Sequence, residues 1–174
     1  QAALDLIAEQ GVSAVAVEPL ARRLGVTKGS FYWHFPSRDA LLQAALERWE
    51  AGEQENIFGS LEKVADPRER LRTLFQLVGH EVKPHIIYSE LLKALDHPAV
   101  QPVIDRISQR RQEYLVAMFR QAGLQRTDAT HRARLTYAAY VGFLQLSLQL
   151  QQPRMTSEEF ETYLEHVIST LIPT

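Results

Sequence analysis

Apolar side chains recur three or four residues apart along almost the whole chain, and prolines, glycines and capping residues interrupt that rhythm at short intervals. This is the period of helices that each bury one face. Strand-like alternation occurs only over 12–17. That stretch is short and has no partner of similar character, so it reads as a connecting loop. The expected fold is all-α, with about nine helices, short ones first and longer ones after.

Local signals place the elements. Leu4, Ile7 and Ala8 share a face, and Gly11 ends their helix. Pro19 opens a second helix through Leu24, with Leu20, Ala21 and Leu24 inward and Gly25 after it. Thr27 caps a third, from Lys28 to about His34, ended by Pro36. Ser37 caps a fourth, with Leu41, Leu42, Ala45, Leu46 and Trp49 at core spacing. The polar stretch 51–65 carries Gly52 and Gly59 and reads as the tail of that helix and a loop. It is the expected boundary between a first domain, 1–50, and a second, 51–174. Asp66-Pro67-Arg68-Glu69 starts the next helix, carrying Leu71, Phe75, Val78 and Val82 and broken by Pro84. His85 to Leu95 follows, with Ile87, Leu91, Leu92 and Leu95 inward. Pro98 and Pro102 precede a long helix ended by Gly123. Asp128 to Gln152 forms another, stopped by Pro153, and Thr156-Ser157-Glu158-Glu159 is a capping box opening the last.

Composition narrows the function classes. With 45% hydrophobic and 23% charged residues, the chain is neither disordered nor of low complexity. The absence of cysteine excludes disulfides, thiolate metal sites and a cysteine nucleophile. At a net charge of −2, binding to nucleic acid has to come from a local patch. The chain opens Gln1-Ala2-Ala3-Leu4, without methionine and already in a helical pattern, so a native segment is expected to precede it. The longest uncharged run, Leu135 to Pro153, is interrupted by Thr136, Ser147 and four glutamines, and reads as a buried helix rather than a membrane span.

The local patch lies in the first fifty residues. Two short helices flanking Gly25-Val26 form a helix-turn-helix pattern. From Pro19 to Arg38 there are four cations, Arg22, Arg23, Lys28 and Arg38, and no acid. Charge alone leaves a solvated basic face and a nucleic-acid surface about equally open. The second helix favours the latter. Thr27, Lys28, Gly29 and Ser30 lie at its N-terminus, where backbone N–H groups and the helix dipole attract phosphate. Gly29 permits close approach to a groove. Lys28 and Tyr32 share a face, and Trp33 and His34 extend an outward polar-aromatic surface, with part of Trp33 packing on Pro36. Phe31 and Phe35 face the core.

The run from Gly25 through Thr27-Lys28-Gly29-Ser30-Phe31-Tyr32-Trp33-His34-Phe35-Pro36-Ser37-Arg38 to Leu42 closely resembles the signature of the tetracycline-repressor (TetR) family of bacterial transcription regulators. The first helix, 2–11, resembles that family's first helix. The resemblance implies that Thr27, Lys28, Gly29 and Ser30 begin a recognition helix. It implies that Tyr32, Trp33 and His34 reach the groove wall and backbone, and that Arg38 stands where the family has a phosphate-contacting lysine. Two departures stand out. Ala16 replaces the usual Ser or Thr cap of the second helix, with Glu18 nearby as a repellent of phosphate. The basic arm that often precedes the first helix is not in this chain.

The remaining residues carry no catalytic motif. His80 and His85 are five apart with Pro84 between them, so they cannot share a helical face as zinc-protease histidines do. Between Leu135 and Leu150 the long helix is apolar nearly all round. Such a helix is buried on all sides, either inside one subunit or against a second copy. Small Ala138, Ala139 and Gly142, with Leu146, suit close approach of a partner helix. The last helix offers Phe160, Leu164, Val167 and Leu171 to complete a four-helix interface, and the family resemblance implies the same dimer. Phe75, Val78, Tyr88, Leu91, Tyr114, Met118, Tyr137 and Tyr140 have the composition of a mostly apolar pocket with hydroxyls to orient a ligand, helped by His80 or His85. A filled core has the same composition. The leading reading is a cytoplasmic, homodimeric repressor that binds double-stranded operator DNA and is released by a small apolar or aromatic effector. It needs no cofactor, metal or membrane and is not an enzyme. A regulator governed by a protein partner or by no ligand stands second, and a small helical enzyme third.

Overall fold

A computed structural model describes residues 1–80 and 82–173. Among these, every regular element is helical. Ten α-helices follow in order: α1 (Ala2–Gln10), α2 (Val17–Leu24), α3 (Lys28–His34), α4 (Arg38–Glu53), α5 (Gly59–Leu61), α6 (Pro67–His80), α7 (Val82–Leu92), α8 (Gln101–Gln121), α9 (Arg126–Leu150) and α10 (Ser157–Leu171). The stretch 12–17 holds a short 3₁₀ turn, Val12–Ala14, and no strand. No helix is long and apolar enough to cross a membrane among the described residues.

The caps follow from side-chain chemistry. Gly25 ends α2 in the left-handed region at φ 66°, where a β-carbon would be strained. Thr27 accepts a hydrogen bond from the Ser30 amide at 3.1 Å, and Ser37 accepts one from the Ala40 amide at 3.0 Å. Asp66 Oδ1 takes the amides of both Arg68 and Glu69. The capping box at Thr156 is complete: its hydroxyl accepts from the Glu159 amide, and the Glu159 carboxylate accepts from the Thr156 amide at 2.7 Å.

Several boundaries differ from those read in the sequence. α2 begins at Val17, two residues before Pro19, because proline is tolerated throughout the first turn, where amides lack partners anyway. For the same reason Pro84 lies inside the first turn of α7 rather than ending α6. Val82 and Leu95, expected inward, are exposed. The stretch 51–65, expected to hold the tail of the fourth helix and a loop, is helical as far as Leu61. α4 runs on to Glu53, a π-helical turn covers Gln54–Phe58, and α5 completes the segment. Phe58 and Leu61 are buried there, and that burial outweighs the roughly 1 kcal/mol cost of a helical glycine at Gly52 or Gly59.

The chain packs as two compact units that do not follow chain order. The first comprises Gln1–Glu53 with Val82–Ile107; the second, Gln54–Glu81 with Ser108–Thr174. α8 therefore contributes to both. In the first unit α7 and α4 pack on α1. Ile7, Leu20, Leu42, Leu46, Tyr88 and Leu91 are almost wholly buried there. Lys83 of α7 pairs with Asp5 of α1 at 2.6 Å, and Arg106 of α8 with Glu50 of α4 at 2.7 Å. In the second unit Leu71, Phe119, Ala129, Ala133 and Ile168 centre a core built from α6, α8, α9 and α10. Arg132 donates to the carbonyls of Thr170 and Leu171, closing the end of α10.

The capping box sets a stability contribution. Thr156→Ala is expected to lower the unfolding free energy by about 1 kcal/mol in urea melts. The Glu159 carboxyl is held below its ordinary range by hydrogen bonding to Thr156. Its contribution is thus present above the ordinary glutamate range and fades as pH falls through the lowered value.

Candidate nucleic-acid interface

α3 has one buried residue, Phe31, whose ring lies 5.4 Å from that of Phe35. That pair fixes which side of the helix faces inward. Thr27, Lys28, Gly29, Ser30, Tyr32, Trp33 and His34 all lie on the exposed side. Trp33 is 86% exposed, so little of it is covered by Pro36 or any other residue. Leu24, expected inward, is 55% exposed at the end of α2, because the turn at Gly25 leaves the last residue of α2 beyond its buried stripe. Leu24, Val26, Tyr32 and Trp33 thus present large apolar side chains to solvent within one short segment. A β-carbon at Gly29 would meet nothing closer than the Thr27 hydroxyl, at 3.9 Å. The protein's own packing therefore does not demand glycine there.

The four cations of this segment differ in what holds them. Arg38 lies at the start of α4 and turns back toward the 3₁₀ turn. Its Nε donates to the Val15 carbonyl at 2.6 Å and its Nη2 to the Val12 carbonyl at 3.3 Å. It ties α4 to the connection between α1 and α2, in addition to any contact it makes outside. Arg23 makes a two-pronged pair with Glu9 of α1, both bonds at 2.7 Å. Lys28 pairs with Glu18 at 3.0 Å, and Arg22 lies 3.7 Å from the same carboxylate. Glu9 and Glu18 are each held below the ordinary glutamate range, chiefly by hydrogen bonds from Arg23 and Lys28 respectively. Reading the segment from Pro19 to Arg38 in isolation missed Glu9 of α1, while Glu18, expected as a repellent of phosphate, is paired with two of the segment's cations. Ala16 does leave α2 without a side-chain cap, as its chemistry requires.

The candidate pocket residues fall in both units. Tyr88 and Leu91 belong to the first unit, where Tyr88 stacks on Trp49 at 6.2 Å. Phe75 and Met118 lie in the core of the second unit, with Val78, Tyr114 and Tyr137 packed against it. The Tyr137 hydroxyl donates to Ser108 at 2.9 Å, and Tyr140 neighbours Tyr137 at 6.2 Å. Tyr114 packs on Phe58, and its buried hydroxyl has no hydrogen-bond partner among the described residues. Burial pushes that hydroxyl above the ordinary tyrosine range. His80 is engaged on both ring nitrogens, by the Gln76 carbonyl at 2.7 Å and Glu161 at 2.9 Å. His85 belongs to the first unit. Glu81, between the two histidines, lies outside the described residues.

The pairing candidates divide by helix. Leu164 and Leu171 are buried in the core of their own unit, with Phe160 and Val167 packed against it. On α9, by contrast, Ala138, Ala139 and Gly142 are exposed, flanked by Leu135 at 59% and Leu146 at 45%. These positions recur every three or four residues and form one stripe.

Comparisons with known proteins agree with this geometry. The description "Bacterial regulatory proteins, tetR family" matches residues 1–45. The class A tetracycline repressor from transposon 1721 of Escherichia coli is 49% identical over 47 residues, covering 27% of this chain and 22% of the repressor. The transcriptional repressor KstR2 of Mycobacterium tuberculosis is 30% identical over 122 residues, covering 65% of this chain and 59% of KstR2. The chain thus spans less than two thirds of the length of these relatives. Beyond the first domain the fold is matched as well. A crystal structure of AibR in complex with isovaleryl coenzyme A and operator DNA has a TM-score of 0.71 at 21% identity, over 99% of this chain and 95% of AibR.

Arg38 and Lys28 are expected to separate in stability measurements. Arg38→Ala should cost about 1–3 kcal/mol in a denaturant melt, because two charge-assisted bonds to backbone carbonyls are lost. Lys28→Ala removes only an exposed ion pair and should cost less than about 1 kcal/mol.

Proposed function

The chain belongs to the tetR family of bacterial regulatory proteins, and from that premise we propose that it is a cytoplasmic transcriptional repressor that binds operator DNA as a homodimer and leaves it when a small molecule binds. In this reading residues 1–50 contact DNA and 51–174 bind effector and pair the subunits. The observation that carries it is the exposed face of α3, where Lys28, Ser30, Tyr32, Trp33 and His34 stand clear of the protein's own core. Lys28, Tyr32 and Arg38 bind phosphates, which orient the protein, and Ser30 or Trp33 approaches the base edges.

The exposed stripe on α9 supports pairing of two copies, since its small residues permit close helix approach. Two copies would offer their α3 helices to half-sites about 34–36 Å apart, so the operator is palindromic. The names of similar proteins support the ligand-dependent part. AibR was crystallised with both isovaleryl coenzyme A and operator DNA. The effector here is an apolar or aromatic molecule held among Phe75, Val78, Tyr114, Met118, Tyr137 and Tyr140. Tyr88 and Leu91, the other two pocket candidates, lie in the core of the first unit.

Packing of the first unit supplies a route for release. α4 begins at Arg38, beside the DNA-contacting residues, and buries Leu46 and Trp49 at its other end. Trp49 rests on Tyr88 of α7, Glu50 on Arg106 of α8, and Asp5 of α1 on Lys83 of α7. A displacement of α7 or of the start of α8 therefore moves α1 and α4 with it. A preference of about 1–3 kcal/mol for the displaced state is enough to relieve repression several-fold or more, and operator must then weaken effector binding by the same factor.

Two experiments test this reading. Lys28→Ala should weaken binding to all duplexes alike and reduce the slope of affinity against salt by about one. Equal binding of wild type and variant across a salt series would remove α3 from the interface. Ala139→Arg places its charge on the exposed stripe, so it should give a folded monomer with little operator affinity. Leu164→Arg buries an unpaired charge and should unfold the second unit, at a cost of about 3–5 kcal/mol. Sedimentation equilibrium distinguishes these outcomes, and a wild-type monomer at micromolar concentration would overturn the dimer.

A further inference from the structure

We propose that Glu18 is a built-in competitor of the DNA backbone: its carboxylate engages Lys28 and Arg22 in the free protein, and a phosphate must displace it before these cations can bind DNA. The proposal rests on the DNA-binding reading above and adds a residue that sets its strength. Glu18 stands in the first turn of α2, and Lys28 is the first residue of α3. One carboxylate oxygen accepts from Lys28 Nζ at 3.0 Å, and the other lies 3.7 Å from Arg22 Nη2. A single acid thus bridges the two helices of the helix-turn-helix on the side where cations are needed.

The other cations of the segment are held differently. Arg23 is gripped through two nitrogens by Glu9, and the part-exposed Arg38 donates to backbone carbonyls, with Asp39 3.8 Å from its Nη1. Neither set of bonds involves Glu18, and Arg38, 38% exposed, can keep its own while its exposed side meets a phosphate. The Glu18–Lys28 pair is 60% exposed on both partners, so an incoming phosphate can reach it without disturbing the fold. A carboxylate and a phosphate present the same acceptor chemistry to an ammonium group. The Glu18 carboxyl is held below its ordinary range, first by the Lys28 hydrogen bond, so it remains charged at neutral pH. Binding of Lys28 to DNA therefore trades one anion for another, and the net gain is smaller than for a free lysine. The same trade weakens binding to every sequence, because phosphate contacts carry the sequence-independent part of affinity.

A different role is available to Glu18. It lies near the N-terminus of a helix whose cap residue, Ala16, offers no side-chain acceptor. An acid there stabilises the helix through its dipole. That role predicts a change in thermal stability on substitution but no coupling to Lys28 in DNA binding.

The test is a thermodynamic cycle on the full chain, with a labelled random-sequence duplex as probe and affinity measured across a salt series. Glu18→Gln is expected to tighten binding several-fold at low salt and to steepen the salt dependence by about one for each cation released. In a Lys28→Ala background the gain should shrink, and in Lys28→Ala/Arg22→Ala it should disappear. Glu18→Ala should repeat the pattern, with circular dichroism establishing that each variant is folded. An equal gain in all three backgrounds would overturn the proposal in favour of general repulsion. No gain from Glu18→Gln, with wild type binding normally, would overturn it while leaving the DNA-binding reading intact. Failure of wild type and Glu18→Gln alike to bind any duplex would overturn both. Binding by Glu18→Gln where wild type binds too weakly to measure would support the competitor directly.

Discussion

α1, α2 and α3 are too short to persist alone: helices below about 12–15 residues are marginal in water, and these have nine, eight and seven. Their stability has to come from burying one face against something longer. In this protein that support is α4 together with a segment from much later in the chain, α7 and the first part of α8. Ile7, Leu20, Leu42, Leu46, Tyr88 and Leu91 bring these elements into one core, and the Asp5–Lys83 and Glu50–Arg106 pairs lie on its edge. The proposed interface with DNA therefore depends on residues some fifty positions downstream of it.

This arrangement bears on control. A helix-turn-helix that carried its own complete core could be regulated only by covering it or by moving it as a whole. Here α1 and α4 share packing with α7, so whatever displaces α7 acts on the supports of α3. Trp49 against Tyr88 is the apolar part of that packing, and in the proposed release it is the contact through which a displacement of α7 would reach α4. The electrostatics of the surface work at finer scale. Of four cations in the segment, two serve the fold through Glu9 or through carbonyls, and two answer to Glu18. In the unbound protein each of the four already has a carboxylate or carbonyl partner.

Much of this was legible in the residues themselves. The apolar period, the caps at Thr27, Ser37, Asp66 and Thr156, and the turn at Gly25 are local effects, governed by bonds within four residues, and each stands where its side chain says. The motif from Gly25 to Leu42 carried the resemblance, and it lies within residues 1–45, which the family description matches. The helix starts near Pro19 and Pro84 were placed late, since a first turn accepts proline at more than one position, whereas Pro67 does open α6.

What the chain order could not reveal was which helices share a core. Phe75 and Tyr88 looked equivalent as apolar residues on neighbouring helices, yet they belong to different units. Leu164 and Ala139 looked equally suited to a partner, yet one is buried at home and the other is exposed. Arg38 and Lys28 looked like a pair of phosphate ligands, yet one also holds the backbone of a distant turn. In each case the deciding contact joins residues far apart in sequence. Periodicity determines that a helix has a buried face; only tertiary packing determines what that face is buried against, because any apolar surface of suitable shape satisfies the hydrophobic effect equally well.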